Sequence, residues 1–208
     1  MALELPASMA QSWHQCGTRT AETNVAIATI TAEMTLFEPL EPALPQRTAS
    51  AVPVRSLFTV DIDVAPPLSA VEIDPSSALS MAAPTVKSQF VTTIEDEGLV
   101  VEATRDSLEF EAANGAAGAW YVLDIVYPIQ DEAGDRSTLE AEANVAIWPT
   151  DSTFGIAGGI LPLETARDAT AGSTVEPSPI PTLEVDPTDD RKTISQVVRS
   201  LDVEDGDA

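Results

Sequence analysis

Apolar and polar residues alternate along much of this chain with a period of two, and that rhythm commits it to half-buried strands. Phe58, Val60, Ile62 and Val64 fall on one side of such a strand, with Thr59, Asp61 and Asp63 on the outward side. Leu139, Ala141, Ala143, Val145 and Ile147 repeat the pattern, with Glu140, Glu142 and Asn144 between them. Thr85–Ile94 and Leu99–Ala103 flank the acidic turn Glu95-Asp96-Glu97-Gly98, where Gly98 can supply the positive φ of a hairpin. Leu108 and Phe110 extend that run past a turn or bulge at Arg105-Asp106-Ser107. Trp120–Tyr127 is apolar on both faces apart from Asp124, as in a central strand covered on both sides. Asn24–Phe37, rich in Val, Ile and Thr, is a further strand, and Phe154–Leu161 is a last one bent at Gly158-Gly159.

Proline marks the connections. Pro39, Pro42, Pro45 and Pro53 punctuate one loop, Pro66 and Pro67 end a strand, and Pro75 and Pro84 bracket at most one helical turn around Ser76–Ala82. No long amphipathic helix alternates with the strands, which argues against doubly wound and α/β-barrel folds. The expected fold is all-β, an antiparallel sandwich or jelly-roll-like domain over residues 24–165. An N-terminal arm, residues 1–23, precedes it. A Pro-rich acidic linker, residues 166–192, and a short docking helix with an acidic tail, residues 193–208, follow it. In that helix Ile194, Val197, Val198 and Leu201 recur at i, i+3, i+4, i+7 and are the interaction candidates, with Asp189 or Asp190 as cap. So short a helix does not persist alone in water, so it docks on its own domain or on another chain.

Charge restricts the partners. Asp and Glu outnumber Lys and Arg by 34 to 10, a formal net charge of −24, and Lys87 and Lys192 are the only lysines. Phosphate contacts need clustered Lys and Arg, so nucleic acid is excluded, and an anionic membrane surface is disfavoured. In dilute buffer the charge repels itself, whereas in molar salt the screening length falls to about 3 Å. The balance points to a soluble protein of a salt-filled compartment: the cytoplasm of a high-salt organism, or a virion. The first ten residues lack the basic start of a secretory signal, and the apolar stretch Ala119–Ile129 is too short to span a bilayer.

No catalytic motif stands out, and no cofactor or metal is expected. Cys16 is the single cysteine and His14 the single histidine; two residues apart, they form a poor nucleophilic pair and at most half a metal site. Asp61, Asp63 and Asp74 offer oxygen ligands of the kind Ca²⁺ takes, but in so acidic a chain they read as a solvated face. The glycine-rich stretches at Asn114–Gly118 and Gly155–Gly159 lack the Lys-Ser/Thr ending of a phosphate loop. Asp124, alone on an apolar strand, and Tyr127 near it are the pocket candidates, since burial raises a carboxyl pKa toward acid–base use. The expected function is a non-catalytic structural or interaction subunit of a salt-adapted system, of virion or capsid type for instance, whose partner is another protein or a second copy. The alternative is a small ligand-binding β-barrel or enzyme with a pocket near Asp124.

Overall fold

A computed structural model describes residues 5–6, 9, 11–25, 28–40, 50–130, 136–163 and 185–201. Seven strands form one antiparallel sheet: β1 (Trp13–Val25), β2 (Ala28–Pro39), β3 (Ser56–Ala65), β4 (Val100–Glu111), β5 (Ala117–Gln130), β6 (Arg136–Pro149) and β7 (Phe154–Pro162). Their spatial order is β1-β2-β3-β7-β6-β5-β4, so β1 and β4 are the two edges. Helix α1 (Pro75–Asp96) leads from β3 to β4 after a single 3-10 turn at Leu68–Val71, and helix α2 (Pro187–Ser200) lies near the C-terminus. The antiparallel all-β domain with a short helix near its end is therefore what the chain builds.

The period-two pattern sorts side chains onto two apolar faces. Phe58, Leu123, Ile125, Tyr127, Val145, Ile147 and Ile156 share one core with Phe90 and Ile94 of α1, and Phe58 stacks on Phe90 at 5.0 Å. On the other face Leu57, Ala146, Trp148, Ala157 and Leu161 join Ile194, Val197, Val198 and Leu201 of α2. β5 and β6 pair from Ala119↔Ile147 to Gln130↔Arg136, and both faces of this centre are buried, as the apolar run Trp120–Tyr127 implies.

Several expectations are corrected. Thr85–Ile94 is not a strand but the second half of α1, whose 22 residues also absorb the segment between Pro75 and Pro84. Its start is fixed locally: Pro75 stands at the first helical position and the Asp74 carboxylate accepts from the Ser77 backbone N–H at 3.0 Å. Leu79, Val86, Phe90 and Ile94 then recur at helical spacing toward the sheet, with Phe90 and Ile94 buried. Gly98 does take positive φ, but in the turn from α1 into β4. The arm assigned to residues 1–23 supplies most of β1, which pairs with β2 from Trp13↔Pro39 to Val25↔Ala28. Thr59, expected outward, is 2% exposed, because the second apolar face extends under it. Finally, β7 runs straight through Gly158 and Gly159, and at Gly159 the missing side chain makes room for a neighbour: a Cβ there would stand 2.6 Å from the Ser56 carbonyl and 2.8 Å from Ile194.

The bulge expected at Arg105–Ser107 is present, as the β4–β5 register shifts between Val101 and Ala103 and again between Thr104 and Asp106. Asp186, rather than Asp189 or Asp190, caps α2, accepting from the backbone N–H groups of Thr188 and Asp189 at 3.0 and 3.1 Å. Residues 187–192 of the expected linker are the first turns of α2. The rest of that linker before residue 185, and the acidic tail from residue 202, lie outside the described residues.

Candidate functional site

Asp124 and Glu142 are cross-strand neighbours on β5 and β6. Two carboxylates in direct register repel one another unless a cation stands between them. Arg105 supplies it. The bulge on β4 places Arg105 opposite no residue of β5, between the pairs Thr104↔Leu123 and Asp106↔Val122, and turns its guanidinium onto the face that α2 covers. There it pairs with Asp124 and donates to Glu142 Oε2 at 2.7 Å. Arg191 of α2 grips the same carboxylate with Nε donating to Oε1 at 2.9 Å and a terminal nitrogen to Oε2 at 2.6 Å. Asn144 donates to Glu142 Oε1 at 3.0 Å and accepts from the Trp120 indole at 2.9 Å.

Glu142 is 2% exposed, and its two oxygens accept from Arg105, Arg191 and Asn144. Burial alone pushes its pKa up. The hydrogen bonds from Arg191 and Asn144, with the charges of Arg191 and Arg105, outweigh burial and hold the carboxyl below the usual glutamate range. A carboxylate so held is neither a proton donor nor a free base. Its work is to join β4, β6 and α2. A second clamp ties α2 to the loop before β3, with Arg55 donating to Asp190 at 3.0 Å. Here burial prevails, and the Asp190 pKa is raised despite Arg55.

Each residue singled out from the sequence has a definite place. Asp124 is bound to Arg105. Tyr127 is fully buried on the opposite face of β5, its hydroxyl donating to the Pro53 carbonyl at 3.0 Å, so these two pocket candidates do not line one cavity. Ile194, Val197, Val198 and Leu201 are buried against the sheet of their own domain. His14 Nε2 lies 3.1 Å from Glu38. Cys16 sits in the β1 bulge between Gln15 and Gly17, and its thiol is pushed up to about 11 by desolvation and the Glu38 charge, away from thiolate chemistry at neutral pH. Asp74 is consumed as the cap of α1, while Asp61 and Asp63 face Glu33 and Thr31 across β2. Among the described residues no group of three His, Cys, Asp or Glu is placed to hold a metal ion. Among the same residues no helix is long and apolar enough to cross a membrane.

Sequence reasoning missed Glu142, Arg105 and Arg191. Their signal was scarcity. Where cations are few and acids abundant, an Arg inside a bulge and an Arg at the start of a docking helix are the residues to trace to partners.

The molecule's other open feature is the edge strand β1. From His14 to Glu22 its residues are exposed except for half-buried Gly17, and among the described residues the sheet adds no strand beyond it. β4, the opposite edge, is broken by two register shifts and carries Glu102, Arg105, Asp106, Glu109 and Glu111. Bulges and charge blunt an edge against pairing, and β4 has both. β1 has one bulge and, over the same stretch, only His14, Arg19 and Glu22 as ionisable groups besides the thiol. Compared with known proteins, the chain matches no family model, and no curated protein or solved structure matches it.

Proposed function

We propose that this chain is a non-catalytic structural or interaction subunit adapted to high salt, of the kind that builds an assembly such as a virion shell. The observation that carries this reading is the pair of unequal edges. A long, weakly charged edge such as β1 presents a row of backbone donors and acceptors, and adding a strand from another protein is a common way to satisfy them. Asp124, the carboxylate that suggested chemistry, is engaged with Arg105 of β4, and its neighbour Glu142 holds both Arg105 and Arg191 of α2 to the sheet. A net charge of −24 keeps the surface of such a subunit hydrated, and molar salt screens its self-repulsion.

The test is purification of the tagged protein at multimolar KCl from a salt-adapted host, with native mass spectrometry. A self-oligomer or a partner in fixed stoichiometry is expected, and Thr18→Lys with Thr20→Lys on β1 should weaken it at least tenfold. Recovery only as a monomer without a stoichiometric partner would overturn the reading, and so would finding every complex indifferent to these lysines.

A further inference from the structure

We propose that the outward face of α1 is a self-association surface, on which a second copy of this chain packs its own α1 about a two-fold axis. This rests on the interaction reading above and adds to its β1 edge a second face, occupied by a second copy.

The starting observation is a gap in the charge. Residues 75–94 contain no Asp or Glu in a chain that has 34 of them. Burial does not account for the gap, since nine positions from Ser76 to Thr92 are exposed and none of the nine is charged. On β4, by contrast, five of ten exposed residues are charged, and on α2 four of seven. Lys87, the one charged residue in the segment, is half-buried and turned toward the sheet, with Nζ 5.3 Å from the centre of the Tyr121 ring and 3.5 Å from Thr104. Met81, in the middle of the bare face, is 73% exposed. One exposed methionine is ordinary on a protein surface. A whole helix face without charge, on a molecule that is acidic elsewhere, is not.

The occupant follows from electrostatics. A cationic partner would find nothing on this face to pair with. A second copy carries −24 of its own, and most approaches set carboxylates against carboxylates. From Ser76 to Thr92 facing α1 helices meet without opposing charges, and the acids Asp74, Glu95 and Asp96 at the helix ends move apart where the two axes cross at a ridge-into-groove angle. Ser80, Pro84 and Ser88 form an i, i+4 ridge of small side chains that lets two helices approach closely, with Met81 beside it to enter the partner's groove. A two-fold axis makes this arrangement self-complementary, because each Met81 meets the same surface on the other copy. Pro84 also offers no N–H to the Ser80 carbonyl, so the face presents a backbone acceptor within reach of a partner's hydroxyl or amide. A helix of this length spans about 33 Å, which suits a reversible interface rather than an obligate one.

Sedimentation equilibrium at about 3 M KCl, where charge repulsion is screened, reads the association directly. A dimer is expected, and Met81→Glu and Ser88→Glu should each raise its dissociation constant at least tenfold while the thermal midpoint of the dilute monomer stays unchanged. Ser107→Glu, a control on the exposed and already charged β4 edge, should leave it alone. A dimer that survives Met81→Glu combined with Ser88→Glu overturns the α1 face while leaving the interaction reading in place. A monomer at every concentration overturns it too. In that case a stoichiometric complex that responds to the β1 lysines keeps the broader reading, and its absence ends both.

Discussion

At the scale of single residues, Leu123, Glu142 and Gly159 carry different kinds of stability. Leu123 has no exposed surface and sits in the core beneath α1, so Leu123→Ala should cost about 2–5 kcal/mol in lost transfer energy and residual cavity. Gly159→Ala pushes a methyl against both the Ser56 carbonyl and Ile194, and should cost about 1–3 kcal/mol by overpacking. Chemical unfolding at high salt measures both. Glu142 adds a pH dependence. Because its folded pKa is depressed, its stabilisation is present above the ordinary glutamate value near 4.5 and is lost as pH falls through the lower folded value. Asp190 works in the opposite sense: its raised pKa favours the folded state at low pH, and that contribution is lost as pH rises through it. Glu142→Gln should therefore destabilise the protein at pH 7 and flatten its acid limb, which thermal melts from pH 3 to 7 would reveal. An unaltered acid limb would mean that Glu142 is not what couples folding to protons.

At the scale of elements, strands with one apolar side were legible and those without were not. β3 and β6 alternate clearly, and β5 faces both cores, as a run apolar on both sides apart from Asp124 implies. β1 was invisible because an edge strand with most residues in water has no reason to alternate. α1 was misread because Val, Thr and Ile around Phe90 have strand propensity, which tertiary packing against the sheet overrode. Pro84 reinforced the error. It lies on the exposed side of the helix, where its ring and its missing N–H are accommodated. The buried ion cluster was illegible for a different reason: its members come from β4, β5, β6 and α2, and only register brings them together. Helix α2 itself followed from spacing alone. Val198→Asp places a charge at a site with no exposed surface and should lower the thermal midpoint by about 10 °C or more, given typical losses of several kcal/mol for an unpaired buried charge.

At the scale of the whole molecule, the charge fixes the conditions under which all of this holds together. Net −24 on 208 residues makes folding expensive wherever the Debye length exceeds the spacing of surface carboxylates. Below roughly 0.2 M salt the domain should loosen, and its thermal midpoint should climb as KCl rises toward molar concentrations, both by screening and by stronger apolar association. Circular dichroism across a KCl series tests this, and a midpoint indifferent to salt would remove the case for a salt-adapted protein.

The apolar face under α2 also has a history during synthesis. Leu57, Trp148, Ala157 and Leu161 are all translated before Ile194, Val197, Val198 and Leu201, which will cover them. At about 5–20 residues per second, the last residue of this cover follows the last strand by roughly 2–8 s. During that interval a nascent chain carries a nearly complete sheet with one wall missing, in a solvent whose salt strengthens every apolar contact. Molar salt confines the reach of the chains' shared negative charge to about 3 Å, so charge does not hold neighbours on a polysome apart, and the wait for α2 is when this face is most open to association.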